Sequence, residues 1–237
     1  MGKIDDIQAY KEWTEYHRSL KRDKAADNLS PVERKKKLEK LEANVIEWIL
    51  FFFSEFAKYP FTKFHKKAIK RITTNMEWYE VLSWSRELAK STIVFMCMMY
   101  LVLTGKKKNV LLISNSHENA VRLLEPYKKA FESNSMLKAY YGDLREFGSW
   151  TADEFTLTTG ATFRAIGALE SPRGTRKDAV RPDTALVDDF DTDADCRNPD
   201  ILKKKWEWFE EACLLYTSPS PRDRTSFQPD PSARICW

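Results

Sequence analysis

No stretch of this chain is long and apolar enough to read as a membrane span. Phe51 to Phe56 is too short, and the run after Lys90 covers about a dozen residues against the roughly twenty that a span needs. The opening MGKIDDIQAYKEW lacks the apolar region of a signal peptide. Gly2 does not make a myristoylation site, because position 6 is Asp rather than Ser or Thr. Cysteine is scarce, four in 237 residues, with no metal-type spacing and one inside an apolar run, which argues against a disulfide frame and for a reducing compartment. His17, His65 and His117 are scattered, so neither a metal site nor a His-based triad has support. The formal charge is a modest +4, which permits a nucleic-acid partner without demanding one. What is present is a 43% hydrophobic composition, enough for one sizeable core or a domain plus a helical arm. The expectation is a soluble intracellular protein.

Three regions are expected. Residues 1–75 read as helical. Ser30-Pro31-Val32-Glu33 is a capping box with Pro at the first helical position, opening a helix that starts basic and runs through Val45–Phe56 to stop before Pro60. A second helix over Thr62–Ile72 would place Phe64, Ala68 and Ile72 on one face and Lys63, Lys66, Lys67, Lys70 and Arg71 outside; that basic face fits either plain solvation or DNA-backbone contact. Residues 76–212 alternate strand and helix. Tyr79–Trp84, Asn109–Ser114, Glu154–Thr158, Ala161–Ile166 and Thr184–Val187 read as strands, with Thr159-Gly160 as a hairpin turn. Helices are expected from Ser91 to Leu103, from His117 to Ser133 and from Asn198-Pro199 onward. Such alternation predicts an α/β fold with a mainly parallel sheet flanked by helices. Residues 213–237 break the pattern. Cys213 to Asp223 (CLLYTSPSPRD) resembles an in-frame translation of the transposon-end adaptor used for sequencing libraries. The tail is therefore expected to be non-native and disordered, and the natural protein to continue past Ala212.

Ser85-Arg86-Glu87-Leu88-Ala89-Lys90-Ser91-Thr92 lies between the first of those strands and an almost wholly apolar helix ending at Gly105. Strand, short loop, Lys-Ser and buried helix is the layout of a phosphate-binding loop. Backbone N–H groups and a helix N-terminus cradle a polyphosphate, the Lys reaches its outer phosphates, and the hydroxyl holds magnesium. The usual pattern has Gly where this chain has Trp84 and Ala89; the plainer reading of Lys-Ser here is a solvated helix start. Further on, Thr184–Val187 runs into Asp188-Asp189. In ATPases with such loops, the first acid after this strand holds magnesium through water, and a second beside it can polarise the attacking water. Loop, intervening strand and helix, then strand and acids come in that order here.

In these residues the chain resembles the large terminase subunit of tailed bacteriophages, the ATPase that drives DNA into the procapsid. Phosphate loops in that family often take the form Ser-Arg-x-Leu-x-Lys-Ser/Thr, which Ser85, Arg86, Leu88, Lys90 and Ser91 fit. Ser171-Pro172-Arg173-Gly174-Thr175-Arg176, Arg181-Pro182-Asp183, Asp188-Asp189 and Arg197-Asn198-Pro199 also look like the stretch around its second acidic motif. The resemblance covers about Phe52 to Ala212. It implies a P-loop NTPase fold that binds ATP and Mg2+ through residues 85–92. Lys90 would bind the β- and γ-phosphates, Ser91 or Thr92 the metal, Arg86 would act as a cis arginine, and Asp188 would hold the metal through water. It also implies double-stranded DNA, a small terminase subunit and a portal protein as partners, a homo-oligomeric ring, and the host cytoplasm. Position 189 is Asp where many relatives have Glu, one methylene longer, and the chain ends before the family's coupling motif and nuclease domain. His65 falls where related ATPases carry an adenine-reading Gln.

Other patterns have plainer readings. Asp189-x-Asp191-x-Asp193 with Asp195 spaces like a calcium loop, but Ala194 stands where the sharp-turn Gly belongs, so a solvated acidic loop is expected. Trp150, Trp206 and Trp208 read as core or interface packing rather than a base-stacking platform. Besides the packaging motor, two functions are compatible with the sequence: a helicase-like nucleic-acid-dependent P-loop ATPase, and a non-catalytic basic interaction module.

Overall fold

The Ser30 side chain accepts from the backbone N–H of Glu33 while the Glu33 carboxylate accepts from Ser30 N–H at 2.9 Å, so the expected capping box opens helix α1, Pro31–Ala43. In the computed structural model, which describes residues 29–57, 59–75, 79–170 and 182–211, this helix does not run on to Phe56. Asn44 leaves the helical conformation (φ −129°, ψ 99°), and its side-chain oxygen accepts from Ile46 and Glu47 N–H, starting a separate helix α2, Val45–Phe52. A short polar side chain that satisfies two first-turn donors outweighs continuation of the helix. Helix α3, Lys63–Thr74, and helix α4, Lys90–Leu103, follow. With the short helix α6, Ser135–Tyr141, they belong to one of two units, residues 1–106 with 133–143.

The core of this unit is aromatic. Trp48, Phe52 and Phe53 are fully buried, and Trp48 packs against Phe52, Phe53 and Tyr100 with ring centroids 5.0–5.7 Å apart. The Trp48 indole donates to Tyr141 Oη at 2.9 Å and that hydroxyl donates to Glu42 Oε1 at 2.7 Å, so these two polar tips are satisfied. Burial pushes the Tyr141 phenol up from its ordinary value. Helix α4 is apolar almost all round and buried along most of its length, Cys97 included; burial drives that thiol's pKa up and leaves it unreactive. It stops at Thr104, followed by Gly105 at φ 71°.

The second unit, residues 107–132 and 144–237, is built on a five-stranded sheet. Its strands are β1 (Asn109–Ser114), β2 (Arg145–Trp150), β3 (Glu154–Leu157), β4 (Thr162–Gly167) and β5 (Thr184–Val187), in the order β2-β3-β4-β1-β5. The mixed α/β character matches expectation. The sheet is less parallel than expected: β1 pairs in parallel with β4 and β5, while β2–β3 and β3–β4 are antiparallel. The antiparallel half comes from the hairpin at Thr159-Gly160, with Gly160 at φ 81°, and from β2, which the alternation of side chains did not reveal. Helix α5 (His117–Ser133) brings Tyr127 and Phe131 to Phe163, with ring centroids at 5.3 and 6.0 Å. Helix α8 (Pro199–Phe209) brings Phe209 into a cluster with Leu111, Ile113 and Ile166. Leu111 and Ile113 alternate with Val110 and Leu112 along β1, whose residues are all buried, so the strand is covered on both faces.

Tyr79–Trp84 is a second correction. It is not among the five strands. Glu80, Leu82 and Trp84 turn inward while Tyr79, Val81 and Ser83 are exposed, a strand-like alternation without a ladder. Strand propensity reports how side chains suit a half-buried pleated surface, and pairing requires a partner edge that local sequence does not supply. On α3 the buried residues are Ala68, Ile69 and Thr73, while Phe64 is 40% exposed, so the inward face is rotated from that expected. The lysines of α3 are exposed as expected, whereas Arg71 is half-buried. Among the described residues, no helix is long and apolar enough to cross a membrane. The Ser171–Arg176 segment, Arg181 and the tail lie outside the described residues.

Candidate functional site

The loop Ser85–Ala89 connects the extended Tyr79–Trp84 segment to α4. Two of its residues have positive φ without being Gly: Glu87 at 68° and Ala89 at 57°. Ala89 is the N-cap, left-handed at ψ 28°, and its carbonyl accepts from Ile93 N–H at 2.9 Å to begin the helix. Position 89 is where the usual phosphate-loop pattern has Gly, and the backbone there adopts the conformation Gly favours. Ala has no side-chain acceptor to cap the first-turn N–H groups, and that turn, Lys90-Ser91-Thr92, holds no acid. Ser85, Arg86, Glu87, Ala89 and Ser91 are exposed, Leu88 is 38% exposed, and Lys90 and Thr92 are half-buried. Successive N–H groups around a left-handed residue, a positive helix end and a cation are a fitting environment for a polyanion.

Helix α3 ties this segment down at two points. Arg71 makes a two-pronged pair with the Glu80 carboxylate, one arm being Nε to Oε2 at 3.1 Å. His65 Nδ1 accepts from Thr62 N–H at 3.3 Å, and its Nε2 lies 3.1 Å from the Leu88 carbonyl oxygen. The ring sits among Phe61, Phe64 and Trp84. Both ring nitrogens are thus engaged within the protein, which leaves the imidazole no polar edge for reading a base.

In the other unit, β5 delivers Asp188 and Asp189. Asp188 is half-buried and its N–H donates to the Ile113 carbonyl, extending the β1–β5 ladder by one bond. Asp189 is exposed and left-handed at φ 47°; its carbonyl accepts from Asn115 N–H at 3.1 Å and Ser114 Oγ at 3.4 Å. The two acids therefore sit on a turn whose backbone is fixed by β1. The chain matches no known family model and no curated protein.

Lys205, which sequence reasoning passed over, and Asp183, singled out there only as part of a motif, hold this second part together. Lys205 of α8, its side chain 6% exposed, donates to the Phe190 carbonyl at 2.8 Å and to Asp195 Oδ2 at 2.6 Å, with Asp191 Oδ1 at 3.6 Å. It therefore staples the chain directly after Asp189. The Lys205 bond holds the Asp195 carboxyl down at about 2. Asp195 also accepts from Thr192 N–H at the start of the short helix α7, Asp193–Cys196, so the Asp189–Asp195 run is a capped and stapled turn rather than a calcium loop. Among the described residues, no group of three or more His, Cys, Asp or Glu could hold a metal ion. Asp183 accepts from Lys108 N–H at 2.7 Å and Asn109 N–H at 3.2 Å, fastening the entries of β1 and β5 together. Trp150 and Trp208 pack on Phe155 and Phe190 as expected, while Trp206 is 40% exposed.

Proposed function

We propose that this chain carries the ATPase centre of a DNA-translocating motor of the phage packaging type. The observation that carries the reading is Ala89, a non-glycine residue held left-handed at the N-terminus of a helix that opens Lys90-Ser91-Thr92. Backbone strain of about 1–2 kcal/mol persists where the surroundings over-determine it, and such positions cluster at ligand clamps.

On this reading Lys90 neutralises the outer phosphates of ATP, and the first-turn N–H groups of α4 donate to its phosphate oxygens. The Ser91 hydroxyl, with Thr92 beside it, is the group of this loop that would hold magnesium, which when bound offsets charge on the transferring phosphate. Such a site draws most of its oxygen ligands from water and the nucleotide, so it needs no cluster of protein carboxylates. Arg86, exposed in the loop, stabilises charge spread over the γ-phosphate. The work of hydrolysis moves double-stranded DNA, in a ring with a small terminase subunit and portal as partners.

Lys90→Ala should abolish ATP hydrolysis while leaving the circular-dichroism melt unchanged. Normal turnover in that variant would refute the assignment. The exposed Lys63, Lys66, Lys67 and Lys70 of α3 supply a basic face suited to DNA. ATP-independent DNA binding in both Lys90→Ala and the parent, with no turnover in either, would favour a non-catalytic basic module.

A further inference from the structure

We infer that His65 is a positioning residue for the phosphate loop, acting as a donor to the Leu88 carbonyl; this rests on the ATPase reading above. Thr62 N–H can only donate, so Nδ1 of His65 is the acceptor and the ring proton resides on Nε2. That N–H points at the Leu88 carbonyl oxygen, 3.1 Å away. Leu88 lies between Glu87 and Ala89, the two positive-φ residues. A fixed carbonyl between two left-handed residues restrains the peptide planes on either side, and these carry the N–H groups that would meet a phosphate. The same helix grips the approach to the loop through the pair that Arg71 makes with Glu80. Helix α3 is thereby a strut against which the loop is set. The cluster of Phe61, Phe64 and Trp84 holds the imidazole plane, so the donor has a defined direction.

The role separates cleanly by substitution at one position. Position 65 is N3 of α3, where Gln or Glu can reach back to the N-cap N–H. Gln keeps that bond and still offers an N–H to Leu88; Glu keeps that bond but presents only acceptors to a carbonyl. His65→Gln and His65→Glu therefore both keep the helix start and differ in what they offer the loop; the added charge of Glu bears on KM through the anionic substrate, so loop exchange is the deciding readout.

Hydrogen–deuterium exchange of the Glu87–Ser91 amides and the KM for ATP should be measured for the parent and both variants in Mg2+ buffer. His65→Glu should speed exchange of these amides about tenfold, the scale of one missing hydrogen bond, and raise KM by a similar factor with kcat nearly kept. His65→Gln should restore both. Equal loop exchange in the two variants would overturn the role. If the parent neither binds nor hydrolyses ATP, the ATPase reading falls, while the exchange difference still decides whether His65 positions the loop.

Discussion

Ala89 carries a conformational cost that its neighbours must hold in place. A left-handed backbone disfavours an L-residue by about 1–2 kcal/mol, whereas Gly adopts it freely but loses more entropy on folding. Ala89→Gly should therefore be neutral or stabilising by up to about 1 kcal/mol, opposite in sign to the usual cost of Gly at a helical position. Ala89→Val should destabilise by about 1–2 kcal/mol, since a β-branched side chain is still less suited to φ 57°. Urea unfolding of the two variants checks both signs. Lys205 poses the converse problem, a buried cation whose removal strands two carboxylates. Lys205→Met should cost about 3 kcal/mol or more, read from the same urea midpoints. The pH dependence follows from Asp195, whose folded pKa of about 2 lies below its ordinary 3.8. A depressed carboxylate contributes stability above its unfolded value and loses it as pH falls through the folded one. The stability gap between the parent and Asp195→Asn should thus be full at pH 5 and close as pH falls from about 4 to 2. A gap that stays constant over that range would mean that the folded protein does not hold Asp195 below its ordinary value.

Among the elements, α3 has the clearest division of labour. Lys63, Lys66, Lys67 and Lys70 recur at helical spacing on an exposed face, while His65 and Arg71 hold the loop and its approach. If that face meets a duplex, replacing one of its lysines with Gln should flatten the plot of log K against log salt by about 0.9 for each phosphate no longer neutralised. An unchanged slope would return the lysines to ordinary solvation. What was legible in the sequence at this scale was what local chemistry decides: the Ser30 box, the Asn198 cap, the Gly160 hairpin, the start of α4 at Lys90, and the strand that ends in Asp188. The misses were of two kinds. At Asn44 a local competitor was underweighted, since an Asn oxygen that bonds two N–H groups can restart a helix. At Tyr79–Trp84, β2 and Lys205 the deciding partner is remote or the usual pattern absent. β2 is exposed along most of its length, with Gly148 at φ 83°, so no alternation marked it. Lys205 meets carboxylates 10 and 14 residues back that read as a solvated run. The candidate loop 85–92 was legible as a pattern because phosphate-loop chemistry is contiguous, whereas the contacts of His65 and Asp183 are with residues 23 and 74 positions away.

For the molecule as a whole, the functional reading makes one ligand answerable to several residues of the Ser85–Thr92 loop, and linkage turns that into a stability measurement. A ligand that binds only the folded protein raises its stability by RT ln(1 + [L]/Kd), about 2.7 kcal/mol at a hundredfold excess over Kd. ATP with magnesium should therefore raise the thermal midpoint of the parent. Lys90→Ala should abolish that rise, because the outer phosphates lose their cation. Ser91→Ala should leave the smaller rise given by ATP alone and remove the increment that magnesium adds, because its hydroxyl would serve the metal rather than the nucleotide. Arg86→Ala should retain most of the rise and lose turnover, because a guanidinium that stabilises charge spread in the transition state contributes more to the reaction than to ground-state binding. The pattern across the three variants is more diagnostic than any one of them, since a general loss of folding would lower every midpoint without ligand. A magnesium increment that survives Ser91→Ala would separate that hydroxyl from the metal and leave the Lys90 loop to bind its phosphate without it.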